Sequence, residues 1–284
     1  MPNTRDIRRR IKSIQSTRQL TKAMKMVSAA KLRRAQERMM AARPYARLMQ
    51  QVLRSLASRA NPESHPLLAE RPPQRIEVVV MTADKGLCGS FNTNIIKRAQ
   101  AFLLEQGGRT QALHTVGKKG RDFFRRRHIP ITREYVDVFR NVQAHQAQEI
   151  ANDLIERFTT GQLDAVYLIY NEFKSVIQQR VIVDRLIPIE RHEFGEGEPR
   201  EDYIYEPSAA ALFDELLTRH IAVQVYQAML ESVAAEHGAR MAAMDAATSN
   251  AGEIVESLTL YLNRVRQASI TKEIIEVVSG AQAL

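Results

Sequence analysis

The sequence of 284 residues has no tryptophan, and aromatic residues make up only 6% of it. Such a low aromatic content is uncommon in β-sandwiches and carbohydrate-binding domains, and it is ordinary for long helices. The single cysteine, Cys88, excludes an intrachain disulfide and a CxxC redox or zinc pair. The seven histidines form no HxxxH or HExxH pair, so we expect no metal site.

Long apolar runs are also missing. The longest, such as Ile76 to Met81, are far shorter than the roughly 20 residues that span a bilayer as a helix. The first residues lack the apolar core of a signal peptide, so we expect a chain that is cytosolic as made.

Proline is absent from Ser208 to Leu284, and this stretch instead carries one heptad phase of apolar residues. The phase starts at Leu212, passes through Met244 and reaches Ile275, with few polar residues at its positions. A stripe with a 3.5-residue period predicts a coiled-coil helix, and roughly 70 helical residues would extend about 100 Å. A helix of that length indicates a mechanical or scaffolding role before an enzymatic one.

Positive charge is concentrated at the start of the chain. Residues 1–60 contain 16 lysines and arginines against only Asp6 and Glu37, whereas the whole chain has a net charge of +9. A basic segment of this kind suits a nucleic acid, an anionic lipid surface or an acidic protein partner, and composition leaves all three open. A DNA-binding zipper is disfavoured, because its basic region and its heptads share one helix, whereas here the complementary heptads lie at the other terminus.

The N-terminal helix has an apolar stripe that changes phase. Ile7, Ile11 and Ile14 begin the stripe, and Leu20, Met24 and Val27 continue it one position out of phase. Pro44 removes a backbone donor, so we expect it to kink or divide the helix.

The pattern predicts three segments: an N-terminal coiled-coil helix over residues 1–60, an α/β globular domain over 75–206 and a C-terminal coiled-coil helix over 207–284. The α/β domain should be small, mostly parallel and Rossmann-like, because strands and helices alternate and the last two strands can form a hairpin. Its expected strands lie at 76–81, 111–116, 165–170 and 176–186, its helices at 94–105, 117–127 and 144–158, and an exposed loop at 190–203. The two terminal helices each need a partner for their stripes, so they should pack as an antiparallel two-helix coiled coil.

Two glycine-containing turns stand where phosphate-binding loops occur, after a strand and before a helix. They are Asp84 to Asn92 and Gly117 to Gly120, and neither has the GxxxxGK[ST] or GxGxxG pattern. The alternative to phosphate binding is a tight turn whose glycines allow close packing. Cys88 could act as a nucleophile only beside a histidine, and otherwise it fills the core.

Four stretches of the chain resemble the gamma subunit of F-type ATP synthase, in the bacterial form. The residues that carry the resemblance are 266–281 (RQASITKEIIEVVSGA), 19–32 (QLTKAMKMVSAAKL), the turn at 84–92 and 239–251 (ARMAAMDAATSNA). The resemblance spans the chain in order. The dithiol insertion of chloroplast gamma subunits is absent and no mitochondrial presequence is visible, so the resemblance is to the bacterial form.

The resemblance implies the central rotor shaft of F1Fo ATP synthase. Such a shaft couples proton-driven rotation of a membrane ring to sequential conformational change at the catalytic sites of an alpha3beta3 ring. The implied partners are the alpha and beta subunits, the epsilon subunit and the membrane c-ring, with one copy of the chain in each complex. No catalytic residue, cofactor, metal, direct nucleotide binding or nucleic acid is implied, and the location is peripheral, at the cytoplasmic face of the cell membrane.

The resemblance also implies site residues. Met24, Arg240, Arg266, Gln267 and Thr271 fall where the shaft touches beta or alpha. Charge alone adds two further candidates for the same interface, Arg33 and Arg34.

The end of the chain is expected to form a bearing tip. The tip itself is Ile274, Ile275, Val277 and Val278, and Ala281, Ala283 and Leu284 follow it, so that apolar residues lie all around the helix, which indicates burial on all sides. The C-terminal helix should outrun its partner, so the cover has to come from apolar loops of the surrounding ring. A different interpretation of the whole chain is a cytosolic basic coiled-coil adaptor or nucleic-acid-binding rod, which would bind DNA with a steep salt dependence.

Overall fold

The structure is a computed structural model that describes residues 4–57, 65–107, 109–176, 178–189, 206 and 208–282. The loop expected at 190–203 and the start of the C-terminal segment at Pro207 lie outside the described residues. The helices are α1 (Thr4–Ala57), α2 (Phe91–Glu105), α3 (Lys118–Arg125), α4 (Ala144–Thr159) and α5 (Ala209–Gln282). The strands are β1 (Arg75–Met81), β2 (Thr110–Val116), β3 (Ile131–Tyr135), β4 (Ala165–Phe173) and β5 (Gln179–Ile187).

The five strands form one sheet in the order β3-β2-β1-β4-β5. All neighbouring pairs are parallel except β4 with β5, which form an antiparallel hairpin. The prediction of a mostly parallel α/β fold is therefore confirmed. β3 was missed, because it lies at the edge and its middle residues are exposed, so it lacks the apolar pattern of a buried strand.

Helices cover both faces of the sheet. Crossovers between parallel strands are right-handed. The connections through α2 and α3 run from β1 to β2 and from β2 to β3, in one direction across the sheet, so these two helices lie on one face. The connection through α4 runs in the opposite direction, from β3 to β4, so α4 lies on the other face. Apolar side chains of α2 and of α4 are fully or almost fully buried, among them Phe91, Ile95, Ile150 and Leu154. β1 lies in the centre, where every residue after Arg75 is buried.

Pro44 does not divide the first helix, since α1 is continuous from Thr4 to Ala57. Of the two expected outcomes, the division is wrong and the kink stays a prediction. The missing donor removes one hydrogen bond, and the helix continues for more than three turns beyond it.

The chain separates into two compact units. Residues 29–239 form the α/β unit, and residues 1–28 with 240–284 form the helical unit. α1 and α5 each contribute to both.

Within the α/β unit, the buried residues of α5 depart from the heptad phase read from the sequence. Phe213, Leu217 and Ile221 are buried at four-residue spacing, one position away from the expected Leu212 and Leu216. From residue 228 to 236 nearly every position of α5 is buried. A two-helix seam would bury one stripe only, so this stretch has more than one neighbour. The close approach of Gly238 to Phe173 of β4 identifies one of them as the sheet, since an added Cβ would lie 3.2 Å from the Phe173 ring.

Within the helical unit, the stripe of α1 does not change phase. Thr21 and Ser28 are buried, and they continue the same heptad series that contains Ile7 and Ile14. Leu20 and Val27, which were expected in the stripe, are 62% and 56% exposed, so the expectation is wrong for these two residues, whereas Met24 is half-buried. Small hydroxyl side chains fit the seam, whereas the larger apolar side chains face outward.

Candidate partner interface

The helical unit is an antiparallel helix pair with a measurable register. Lys25 Nζ lies 2.5 Å from Asp245 Oδ1, and Thr21 Oγ1 lies 2.7 Å from Thr248 Oγ1. Farther along, the guanidinium of Arg18 lies against Gly252, where an added Cβ would be 3.4 Å from Arg18 Cζ. Moving a given number of residues toward the start of α1 therefore corresponds to moving about the same number toward the end of α5.

This register leaves the end of α5 without a helical partner in its own unit. Lys25 is 21 residues after Thr4, where α1 begins, and 21 residues beyond Asp245 is Arg266. From Gln267 onward, α5 extends past the described start of α1. All residues from 271 to 279 are exposed, as expected for a single helix.

The residues implied by the resemblance lie in separate parts of the helical unit. Met24 and Arg240 are half-buried, whereas Arg266, Gln267 and Thr271 are exposed. The Thr271 hydroxyl donates to the Gln267 carbonyl at 2.9 Å within the helix. Arg240 and Arg266 are 26 residues apart on α5, which is about 39 Å of helix at 1.5 Å per residue. They lie in two separate parts of α5 and do not form one cluster.

The four apolar residues of the expected bearing tip all face solvent. Ile274 and Ile275 are 57% and 58% exposed, and Val277 and Val278 are 72% and 51% exposed. These four residues form an exposed apolar surface near the end of α5.

A groove of about 540 Å³ lies in the helical unit, and three of its seven lining residues are cationic, so we call it the cationic groove. Arg18, Lys22 and Lys25 contribute three positive charges against the one carboxylate of Asp245. The Lys25 and Asp245 side chains are 41% and 61% exposed, so their ion pair contributes little to stability. Met26 adds an apolar wall and is 60% exposed. The groove suits a carboxylate-bearing segment with apolar neighbours.

Leu20, Met26 and Val27 were not recognised as surface residues from the sequence. Their exposure follows from the continuous heptad series through Thr21 and Ser28, and that series was the signal available in the sequence. Together they form an exposed apolar strip on α1 beside the cationic groove.

Arg33 and Arg34 belong to the α/β unit. Both are exposed, and Arg33 Nε donates to Glu37 Oε1 at 3.1 Å, one turn along the same helix. Such an exposed pair is worth only about 0.3–0.5 kcal/mol, so Arg33 can exchange it for a partner carboxylate at small cost.

The two turns that resemble phosphate-binding loops are closed by internal hydrogen bonds. At the start of α3, Lys118 N–H donates to Asp84 Oδ1 at 2.9 Å, and Lys119 N–H donates to the Ala83 carbonyl at 3.1 Å. Gly120 N–H donates to Thr82 Oγ1 at 2.8 Å. The amides that a phosphate would need at this helix start are therefore already bonded.

The glycines of this turn serve close packing. Gly117 has φ of +100°, and an added Cβ would lie 1.8 Å from the Thr82 carbonyl oxygen. A Cβ on Gly120 would lie 2.9 Å from Thr82 Oγ1. Cys88 is buried, and Asn92 Nδ2 donates to its sulfur at 3.2 Å. These contacts match the packing alternative for both turns.

None of the helices in the described part of the chain is long and apolar enough to cross a membrane.

Comparison with known proteins places this architecture in a family. The family model described as ATP synthase matches residues 3–284. The ATP synthase gamma chain of Anaeromyxobacter sp. (strain Fw109-5) is 53% identical over 290 residues, which cover all of both chains. That of Pelotomaculum thermopropionicum is 51% identical over 285 residues, again with all of both chains covered.

Solved structures agree with the sequence comparison. The central stalk and c-ring structure of the Tetrahymena thermophila mitochondrial ATP synthase contains a chain with 30% identity and a TM-score of 0.65, and the match covers 80% of this chain and 99% of that one. A chain of the Euglena gracilis mitochondrial enzyme shares the fold at 20% identity, with a TM-score of 0.68 and coverage of 99% and 94%. The present chain belongs to the family of ATP synthase gamma chains.

Proposed function

We propose that this chain is the central rotor shaft of an F1Fo ATP synthase, which couples proton-driven rotation of a membrane ring to sequential conformational change at the catalytic sites of an alpha3beta3 ring. The observation that carries the proposal is the end of α5, a single helix with exposed Ile274, Ile275, Val277 and Val278. An apolar surface of this kind needs a cover that the helical unit does not supply, and the apolar loops of a surrounding ring would supply it.

An asymmetric shaft can drive such a ring by differential contact. Each orientation of the shaft presents different side chains to each beta subunit, and so it shifts the conformational equilibrium of each site by a different amount. A bearing made of apolar side chains suits rotation, because it forms no directional hydrogen bonds that would hold the shaft at one angle.

We assign two contact regions for the ring. The first combines Met24 and Arg240 with the cationic groove and the exposed strip of Leu20, Met26 and Val27. The second comprises Arg266, Gln267 and Thr271 on the single part of α5, followed by the bearing tip. Arg33 and Arg34 are proposed to face acidic segments of beta. In each region the positive residues would pair with carboxylates of alpha and beta, and the apolar residues would pack against apolar side chains of these subunits.

We further propose that the chain is not catalytic by itself and binds no nucleotide. The bonded amides at the start of α3 support this, since Lys118, Lys119 and Gly120 have no free N–H for a phosphate. The proposed remaining partners are the epsilon subunit and the c-ring, with one copy of the chain per complex at the cytoplasmic face of the cell membrane. The c-ring as a partner is supported by the central stalk and c-ring structure of the Tetrahymena enzyme, which contains a similar chain.

The test is co-expression of the chain with the alpha and beta subunits of its own organism, followed by purification through a tag on beta. The expected result is a stable complex that contains one copy of the chain and hydrolyses ATP, whereas the chain alone gives background phosphate release. Binding of duplex DNA by the chain alone, with a steep loss of affinity as salt increases and no complex with alpha and beta, would favour the adaptor or nucleic-acid alternative instead.

A further inference from the structure

A cluster of charged side chains is buried between the sheet and α4, far in sequence from the proposed ring contacts. Glu77 of β1 and His114 of β2 are fully buried. Asp153 and Arg157 of α4 reach them with side chains that are 17% and 18% exposed. Nothing in the proposed rotor function uses these groups.

One ring nitrogen of His114 faces three charged groups at once. His114 Nε2 lies 3.2 Å from Arg157 Nη1, 3.3 Å from Glu77 Oε1 and 3.4 Å from Asp153 Oδ2. A nitrogen that accepts from the guanidinium carries no proton to donate to a carboxylate, and a nitrogen that donates to a carboxylate cannot accept from Arg157. The three contacts cannot all be satisfied in one protonation state.

The unmatched atoms show which contact is left out. Glu77 Oε1, Asp153 Oδ2 and His114 Nδ1 are buried and make no hydrogen bond. Arg157 Nη2 donates to Glu77 Oε2 at 2.8 Å, so Arg157 keeps one firm partner whichever way the ring nitrogen is used. In the neutral ring with its proton on Nδ1, Nε2 accepts a hydrogen bond from Arg157. Glu77 Oε1 and Asp153 Oδ2 then face a nitrogen that has no proton to donate to them.

The two carboxylates beside His114 already have cationic partners. Glu77 and Asp153 are opposed by Arg157 and by Arg133 of β3, which lies 3.1 Å from Asp153. The remaining titratable groups that face the cluster are Tyr135 of β3 and Glu149 of α4. Burial, followed by the charges of Asp153 and Glu149, raises the pKa of Tyr135 to about 12, so it stays neutral. A proton added to His114 would therefore put a positive charge on a ring that is fully buried and removed from water.

We propose that Glu77, His114 and Asp153 form a proton-binding site inside the α/β unit, and that uptake of a proton there releases Arg157 of α4 from His114. The proton comes from solvent and bonds to Nε2. The resulting Nε2–H donates to Glu77 Oε1 or Asp153 Oδ2, and Arg157 Nη1 loses its acceptor on the ring. The docking of α4 on the sheet then depends on acidity.

The direction of this dependence follows from burial. Burial lowers the pKa of His114 below its ordinary value, with the carboxylates of Glu77 and Asp153 opposing the shift. When α4 separates from the sheet, His114 becomes solvated and takes up a proton more readily than it does while α4 is docked. The stability that the cluster provides is therefore present above about pH 6.5 and is lost as the pH falls below it. A single such group changes the opening equilibrium by up to about tenfold per pH unit.

The experiment uses the full chain and measures amide hydrogen exchange of residues 144–159 by mass spectrometry from about pH 8 to about pH 5.5, corrected for the intrinsic rate. We expect protection of α4 to fall by up to about tenfold per pH unit below about pH 6.5. His114→Gln should abolish this acid sensitivity, because its amide offers Arg157 an acceptor and the carboxylates a donor without titrating. His145→Gln, at an exposed position of the same helix, is the matched control and should behave as the unmodified chain.

Two results would overturn the proposal. The first is α4 protection that does not depend on pH in the unmodified chain, or that depends on it equally in His114→Gln. The second applies even if His114→Gln fails to fold: in the unmodified chain labelled with ¹⁵N-histidine, a His114 ring that titrates at the ordinary histidine value contradicts a site that is buried and coupled.

Discussion

Replacing Val277 and Val278 with aspartate tests the bearing directly. The two side chains are 72% and 51% exposed, so the fold of the isolated chain does not depend on burying them. Substitutions at such surface positions usually change the free energy of unfolding by no more than about 0.5 kcal/mol. The isolated variant should therefore melt within a few degrees of the unmodified chain.

Assembly should respond differently. Complete burial of a valine side chain is worth about 1.5–3 kcal/mol. Val277 and Val278 are 72% and 51% exposed, so burying the rest of both side chains inside a ring would stabilise the complex by about 2–4 kcal/mol. Loss of that gain corresponds to about a 30-fold to several-hundred-fold weaker association. Burying two carboxylates in an apolar collar adds a further cost, so this range is a lower bound.

The assay is the yield of ring complex after co-expression with alpha and beta, together with the midpoint of complex dissociation during dilution. Leu104→Asp is the matched control, because Leu104 is an exposed apolar residue of α2 in the α/β unit, at 82% exposure. It should leave ring assembly unchanged. Normal assembly of the tip variant would refute the bearing, and a large loss of melting temperature in the isolated variant would show that the tip packs within its own chain.

Three further predictions concern charge, packing and pH. Replacing Arg33 and Arg34 with glutamate should lower the proton pumping obtained per ATP hydrolysed, measured in membrane vesicles, while the melting temperature stays nearly constant; the reverse pattern would make these charges structural. Gly117→Ala should destabilise the α/β unit by about 3 kcal/mol or more in denaturant unfolding, because its Cβ meets a backbone oxygen. Gly161→Ala, at φ of +73° in open space, should cost only about 1–2 kcal/mol, and equal losses would exclude the clash as the cause. Asp164 accepts hydrogen bonds from the Arg75 side chain and from the backbone, which lower its pKa, so its contribution to stability is present above about pH 4 and is lost as the pH falls further; an unchanged acid unfolding profile in Asp164→Asn would contradict this.

The α/β fold could be predicted from the sequence because its central elements follow simple patterns. β1 is an apolar run buried on both faces, and the helices that flank it have apolar residues at helical spacing. β3 could not be found this way. Its identity as a strand depends on pairing with β2 and not on its own side chains, three of which are exposed.

The helix seams were harder to predict, since hydrophobicity was taken as the sole mark of burial. In α1 the seam positions Thr21 and Ser28 are small and polar, and the apolar Leu20 and Val27 point outward. In this part of α1 the usual relation between apolarity and burial within one chain is therefore reversed. In α5 the heptad phase held at Met244 and Ala251, where one helix is the neighbour, and failed near Phe213, in the α/β unit.

The candidate interface residues could be named from the resemblance, but their grouping could not. Only the register set by Lys25 with Asp245 and Thr21 with Thr248 places Arg266 at the end of the paired region. The three-segment division of the sequence and the assignment of interface residues both stay predictions. The buried cluster around His114 had no sequence signal, because its members come from separate strands and a helix.

The most direct test of the shaft is to observe its rotation. Leu104→Cys provides a handle on the α/β unit, since this position is 82% exposed while the natural Cys88 is only 1% exposed and should not react. With the alpha3beta3 ring fixed to a surface through beta and a bead attached at residue 104, we predict unidirectional stepping of the bead when ATP is added, at a rate that follows ATP concentration. Sustained ATP hydrolysis by the same complexes, with the bead confined to undirected motion, would contradict the account.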